Sequence, residues 1–437
     1  MNGQPTAQNT RETGANGDLP GFRNWQNDDH VADLARVWNV EPLQIPHWGP
    51  PTHVMEMVRY MEEGTLPFFW VSCTNPLVSL PEARRIRSVL ASDEVFLVVQ
   101  DLFPTETAAI ADVVLPAAGW AEKTGTFTNA DRTVHVSEQA IDPPGEARSD
   151  LAIWLDYARR MDFRDKDGDP LVKWSDPEPA FEAFKVCVEN RPCSYEGITH
   201  AALRGGSGIQ WGGERLYADG SFFAAPDVCE DYGKDLLTGA TLEQTEYRAL
   251  NPDGRAILRA CEYVPPHEPP DGERPLQLNT GRTVFHFHTR TKTARVPELQ
   301  SAAPEVWAEL SAADAERLGL GEGDLADIRS PRGSIRARVR ISGVRAGVVF
   351  VPFHYGWWDR EGDDESRAAN ELTITSWDPV SKQPLFKAGA VAVVKVADAD
   401  GVVSPAPTNT ASAPVADIGT TTRGQEGHAA DTEVQAP

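Results

Sequence analysis

Apolar residues first become periodic at Val31. In DDHVADLARVW, Val31, Leu34, Val37 and Trp38 recur at helical spacing, and Asp28 or Asp29 is placed to cap the first turn. THVMEMVRYMEEG repeats the pattern and stops at Gly64. The rhythm then changes to short continuous apolar runs. LPFFWVSC, EVFLVVQD and ADVVLPAA read as strands buried on both faces, and the two segments between them, TNPLVSLPEARRIRSVLAS and PTETAAIA, read as helices. Strand and helix alternating at this spacing predict a parallel α/β sheet of Rossmann-like type. Its ligand belongs at the carboxyl ends of the strands, at TNP and QD.

DLAIWLDYARRM predicts a helix packing Leu151, Trp154, Leu155 and Ala158, and a further helix is expected around residues 179–187. From 191 to 274 the chain is rich in Gly, Pro and Asp and is read as an irregular connection. Its GGSG neither follows a strand nor opens a helix, so it is no phosphate loop. Near residue 275 short strands return: LQLNTGR, the hairpin GDLADIRSPRGSIRARVRISG, RAGVVFVPFHYG and AVAVVKV. In the hairpin Ile335, Ala337, Val339 and Ile341 alternate with Arg336, Arg338 and Arg340. One small helix, SAADAERLGL, carries a Ser311–Asp314 capping pair. These elements predict a closed β-barrel over 275–397, followed by a disordered tail at 398–437.

Composition mainly removes possibilities. With 437 residues and 41% hydrophobic content the chain can build two or three cored domains. No apolar run reaches the ~18 residues a membrane span needs, and no basic-then-apolar leader is present, which reads as a cytoplasmic protein with no membrane partner. A formal charge of −24 argues against nucleic acid. The cysteines form no CxxC, so no zinc or iron–sulfur motif is visible.

Three polar groups carry candidate chemistry. TNP and QD fit turns or ligand contacts equally. HFHTRTKT, from His286 to Thr293, has too few ligands in its histidine pair for a metal, and its Thr, His and Arg suit a polyanionic or heteroaromatic ligand. ANELTITSWDPVSKQPLFK places Asn370, Asp378, Lys382 and Lys387 in a non-helical loop, as ligand contacts or as turn residues. There is no nucleophile elbow, triad or metal cluster, and no GxGxxG follows a strand, which disfavours a nicotinamide dehydrogenase.

Taken in order, GQPTAQNTRETG, WVSCTNPLVSLP, VVQDLFPTETAAIADVVLPAAGWAEKTGTFTNADR, LNTGRTVFHFHTRT and NELTITSWDPVSKQPLFKAGAV are collinear with a known pattern. The chain resembles the C-terminal portion of the molybdopterin oxidoreductases of the dimethyl-sulfoxide-reductase superfamily, most of all the catalytic subunits of assimilatory nitrate reductases.

The resemblance implies a bis(molybdopterin guanine dinucleotide) molybdenum cofactor held between α/β domains and the barrel. It implies cofactor contacts at Asn75, Gln100, Asp101, Lys123 and Asp150, at Thr280, Gly281, Arg282, His286, His288 and Thr289 in the barrel loop, and at Asn370 and Lys387. Gln4 and Arg11 match the loop beside the molybdenum, and Phe353 matches a substrate-side wall, next to the insertion YGWWDREGDDESRA. The implied reaction is nitrate reduction to nitrite by oxygen-atom transfer. Formate oxidation, or a non-catalytic half completing an enzyme with a separate N-terminal chain, are the alternatives.

The family's N-terminal [4Fe–4S] cysteine motif and molybdenum ligand do not match here. The implied organisation is an active-site loop at 1–25, an α/β domain at 26–190, the connection at 191–274 and the barrel. The chain is then expected to be a fragment or split subunit, inactive without the missing N-terminal half or an electron-donor protein. Residues 1 to 17 are expected to be disordered when that half is absent.

Overall fold

The computed structural model describes residues 5–15, 17, 19–49, 52–191, 193–211, 260, 262–360, 367–379 and 381–397. The tail at 398–437, most of the irregular connection, and Gln4 lie outside the described residues.

Contrary to the expectation of disorder, the first described residues form a helix, α1, at Pro5–Glu12. Its sequence has no apolar stripe, and it is held instead by polar contacts to a later strand. Next, α2 (Asp28–Trp38) is capped by Asn27, whose Oδ1 accepts from the Asp29 N–H at 3.1 Å, rather than by either expected aspartate. Asn27 has the extended backbone a cap requires, while Asp28 is already helical. Its buried face is His30, Val31, Leu34 and Ala35, with Trp38 turned outward.

The parallel sheet is present, but only its central strand is largely buried, and Phe68 and Val114 of the flanking strands are exposed. β1 (Phe68–Ser72), β2 (Phe96–Asp101) and β3 (Val113–Pro116) lie in that order, with Ser72 beside Gln100 and Asp101 beside Pro116. The carboxyl ends of β1 and β2 therefore bring Cys73, Gln100 and Asp101 together. Between α2 and β1 runs α3 (Val54–Glu62). α4 (Pro76–Ser79) and α5 (Ala83–Leu90) connect β1 to β2, and α6 (Glu106–Ala109) connects β2 to β3. Met55, Val58 and Met61 of α3 and Ile86, Val89 and Leu90 of α5 pack with Val71, Leu97 and Val99 of the strands. Two residues from the barrel domain, Trp357 and Ala368, complete this same core.

A second, antiparallel sheet was not foreseen. β4 (Gly125–Thr128), β5 (Thr133–Ser137) and β6 (Ile209–Gln210) pair in sequence order. Against it pack α8 (Pro177–Cys187) and α9 (His200–Arg204), around Val134, Phe181, Tyr195, Leu203 and Trp211. The GGSG stretch leaves α9 and enters β6. Gly208 there has φ 105° and sits where a Cβ would approach the His135 ring to 2.6 Å. α7 (Asp150–Arg160) buries Ile153 and Leu155. The expected core residue Trp154 is instead exposed on one side and stacks on Trp70 of β1 at 4.2 Å, because the helix lies across the sheet's outer strand.

The C-terminal part is a closed barrel of β7 (Leu276–Gly281), β8 (Trp307–Leu310), β9 (Leu325–Arg329), β10 (Ser334–Ile341), β11 (Val348–Pro352) and β12 (Ala390–Ala397), in the order β10-β8-β11-β7-β12-β9. Closure removes the exposed sheet edges. Ile335, Ala337 and Val339 point inward as their alternation requires, but Ile341, the last residue of β10, is exposed although it still pairs with Leu310 of β8. α10 (Pro297–Ala302) lies in the long loop after β7. α11 (Ala312–Leu318) begins with Ser311 accepting from the Asp314 N–H and ends on Gly319 in the left-handed conformation. No helix among the described residues is long and apolar enough to cross a membrane.

Candidate functional site

The strand ends carry a charged cluster. Gln100 is fully buried near the end of β2, and its Nε2 donates to Asp150 Oδ1 at 2.6 Å. Lys123 pairs with the other oxygen of Asp150. Asp150 is the first residue of α7, whose N-cap Ser149 accepts from Ala152 N–H; a carboxylate is favoured at that helix end. Asp101 is held by the N–H of Leu102 at 2.7 Å, and burial pushes its carboxyl above the usual range, with the Asp150 charge adding in the same direction. The Lys292 ammonium opposes that shift. The barrel loop reaches the segment after β2 through Arg295, which lies 4.6 Å over the Phe103 ring and donates to the Pro104 carbonyl at 3.5 Å.

Beside the cluster opens a cleft of about 450 Å³, lined by Lys123, Ser149 and Asp150 and by the rings of Trp120, Phe127, Phe181, Phe184 and Tyr195. That volume and mixture suit a flat heterocycle with one charged substituent. Asn9 of α1 and Thr13 just after it also line it. α1 is anchored by Glu12, fully buried, whose carboxylate accepts from Tyr195 OH at 2.5 Å, Trp211 Nε1 at 2.6 Å, Thr128 Oγ1 at 3.0 Å and Gln8 Nε2 at 3.0 Å. Burial raises its pKa against the lowering effect of those donors. Arg11, the expected anion contact, is exposed on the same helix. Glu12 went unnoticed in the sequence because three of its four partners lie more than a hundred residues away.

In the barrel loop, Thr280 Oγ1 donates to the Phe386 carbonyl at 3.1 Å. Gly281 leaves room for the Phe350 ring, which a Cβ would approach to 2.5 Å. Arg282 and Lys387 are exposed, His288 and Phe353 half-buried, and Thr289 buried beside Thr291. Three of the implied ligand residues also bond within the chain. His286 donates from Nε2 to the Ala303 carbonyl at 2.7 Å and contacts Thr293 Oγ1 at 3.0 Å through Nδ1. Asn75 donates to Glu106 at 2.7 Å and accepts from Thr107 Oγ1 at 2.7 Å. Asn370, in a one-turn 3-10 helix and not an open loop, donates to the Val78 carbonyl at 2.6 Å and accepts from Thr373 Oγ1 at 3.1 Å. They give the loops their shape.

His354 shapes the same loop. Fully buried, it donates from Nδ1 to the His288 carbonyl at 2.6 Å and accepts at Nε2 from the Thr283 N–H at 2.8 Å. Burial, and then the neighbouring His286, Arg282 and His288, bring its pKa down to about 4. A depressed histidine pKa stabilises the fold fully above the unfolded value of about 6.5 and ceases to do so as pH falls through 4. Acidification across that window should therefore destabilise the protein by up to about 3 kcal/mol through this ring. Urea denaturation at stepped pH, compared with His354→Gln, checks this; identical pH slopes would refute it.

Comparison with known proteins now fits the geometry. Residues 7–160 match the molybdopterin oxidoreductase family and residues 276–390 the molydopterin dinucleotide-binding domain. The chain therefore belongs to the molybdopterin oxidoreductases. It is 34% identical over 408 residues to a nitrate reductase of Symbiobacterium thermophilum, covering 90% of this chain and 50% of that protein. It is 35% identical over 332 residues to the F420-dependent formate dehydrogenase subunit alpha of Methanocaldococcus jannaschii, covering 76% of this chain and 43% of that one. Acetylene hydratase from Pelobacter acetylenicus shares the fold at a TM-score of 0.56 and 19% identity, over 78% of this chain and 46% of that one. The chain thus spans about half the length of the relatives it matches.

Proposed function

We propose that this chain is the cofactor-holding C-terminal part of a molybdenum oxidoreductase that reduces nitrate to nitrite, with bis(molybdopterin guanine dinucleotide) as cofactor. The observation that carries the reading is the Gln100–Asp150–Lys123 cluster at the strand ends, with the barrel loop joined to the same domain through Arg295 at Phe103 and Pro104. The residues fit such a group. Gln100 Oε1, Asn279 Oδ1 and Thr283 Oγ1 are buried without a hydrogen-bond partner, and each can accept from the N–H groups of a guanine or pterin. The carboxylates of Asp101 and Asp150 offer further acceptors, Lys123 an ammonium for a phosphate, and Thr280, Gly281, Arg282, His288, Thr289 and Lys387 a polar loop for the other end. When bound, the molybdenum centre supplies the two-electron redox chemistry. The chain supplies orientation: Arg11 on α1 offers a planar cation to an oxyanion, and Phe353 an apolar wall.

A formate-oxidising relative of similar identity keeps formate as the second reading. Dye-linked assays with nitrate and with formate, on the enzyme containing this chain, separate the two; turnover of neither would sink both. Lys123→Ala should reduce the guanine nucleotide retained through purification by about tenfold, read as GMP released by acid hydrolysis. Unchanged retention would remove Lys123 from the cradle.

A further inference from the structure

A buried carboxylate between the two domains is not explained by ligand contacts. Glu106, at the start of α6, is almost fully buried, and its three hydrogen-bond partners among the described residues are all donors. Asn75 Nδ2 reaches Oε2 at 2.7 Å, and the backbone N–H groups of Trp357 and Trp358 reach Oε1 at 2.5 and 3.0 Å. Asn75 opens the loop after β1. Trp357 and Trp358 belong to the segment after β11, in the insertion that departs from the family pattern.

That segment is tied to the barrel loop by side-chain contacts. Asp359 accepts from Arg290 at 2.7 Å and pairs with Arg367, which also donates to the Gly356 carbonyl. Arg295 lies 4.0 Å over the Trp358 ring and 4.6 Å over Phe103 of the α/β domain. Gly356 is an independent sign of the close approach. A Cβ there would collide with the Glu106 carboxylate and fall 2.6 Å from Val78 Cγ2.

We propose that Glu106 is a positioning residue that fixes the separation between the strand-end loop at Asn75 and the barrel loop at 282–290. It thereby sets the length of ligand that both loops grip at once. This rests on the reading that a two-ended dinucleotide occupies the cradle. Only a carboxylate can serve all three donors. A glutamine would have to turn its NH₂ either toward the Asn75 NH₂ or toward the two backbone N–H groups. Adding Asn75→Asp to the Glu106→Gln chain would restore the match, because the introduced carboxylate could accept from the introduced amide while still accepting from Thr107.

The test is hydrogen exchange at the Trp357 and Trp358 amides, with retained GMP and titration of GDP as a one-ended probe, on the full chain. Glu106→Gln should speed exchange and lower retention by at least about tenfold, with GDP affinity within about twofold. The pair Asn75→Asp with Glu106→Gln should restore slow exchange. Unchanged exchange in the single variant, or a double variant no better than the single, would overturn the proposal. If the single variant does not fold, recovery of a folded chain with slow amides in the double supports it, and failure of both overturns it. A wild-type chain that retains no nucleotide would defeat the dinucleotide reading, and exchange alone would then decide the positioning role.

Discussion

Glu12→Ala should cost on the order of 3–5 kcal/mol of folding stability and release α1 from the body of the protein. The carboxylate is the common acceptor for Gln8, Thr128, Tyr195 and Trp211, and alanine would leave the Tyr195 hydroxyl and Trp211 N–H buried without it. Glu12→Gln should be milder, about 1 kcal/mol. Its Oε1 can keep Gln8 and Trp211, and its NH₂ can donate to the Tyr195 and Thr128 hydroxyl oxygens, which accept as well as donate. The sign of the pH dependence also separates the two states of the residue. The folded pKa is raised, so stabilisation by the protonated form is complete below the unfolded value and disappears as pH rises through the folded one. The glutamine variant should lose that dependence. Urea denaturation and amide exchange over residues 5–12 measure both effects; an α1 as protected in Glu12→Ala as in the wild type would contradict the anchoring role.

Arg290→Ala should be comparably costly, about 3–5 kcal/mol, because it breaks a buried ion pair from one side. The guanidinium is fully buried, donates to Gln300 at 2.7 Å and Asp359 at 2.7 Å, and lies 5.1 Å over the Tyr355 ring. Removing it leaves Asp359 with Arg367, and Gln300 without its donor. Methionine at the same position should recover part of the loss by filling the space without a charge. The effect should centre on the barrel loop, where Arg290 has φ 67° and His288 φ 45°, conformations that the surrounding contacts must impose. Thermal denaturation, with exchange rates at 283–290, reads this out. A shift in melting temperature no larger than that of a surface arginine such as Arg338 would show that the pair contributes nothing.

Both domains were legible in the sequence for the same reason. LPFFWVSC and EVFLVVQD are continuous apolar runs of the kind parallel strands carry, although Phe68 and Phe96 stay exposed here, and Ile335, Ala337 and Val339 alternate with arginines as a barrel wall demands. The antiparallel sheet was not legible. GTFT and TVHVS are short and carry only Phe127, Val134 and Val136 as apolar residues, too few for a convincing alternation, so the pairing of the two with each other and with β6, some seventy positions later, identifies them as strands. α1 was not legible, because a helix without an apolar stripe has no local reason to form. It is held by Glu12, with partners at 128, 195 and 211, and by Asn9, which bonds to Thr128.

The sequence by itself determined the element types and the polar character of the loops that close them, since periodicity and turn residues are local properties. It also placed Gln100, Asp101, Lys123 and Asp150 in candidate loops. Tertiary structure alone decided that Gln100 and Lys123 meet on Asp150, and that Asn75, His286 and Asn370 spend their polar groups inside the chain. It alone joined the domains through Glu106 and the 356–359 segment. Hydrogen-bond partners far apart in sequence are chosen by packing, and no local pattern of residues records that choice.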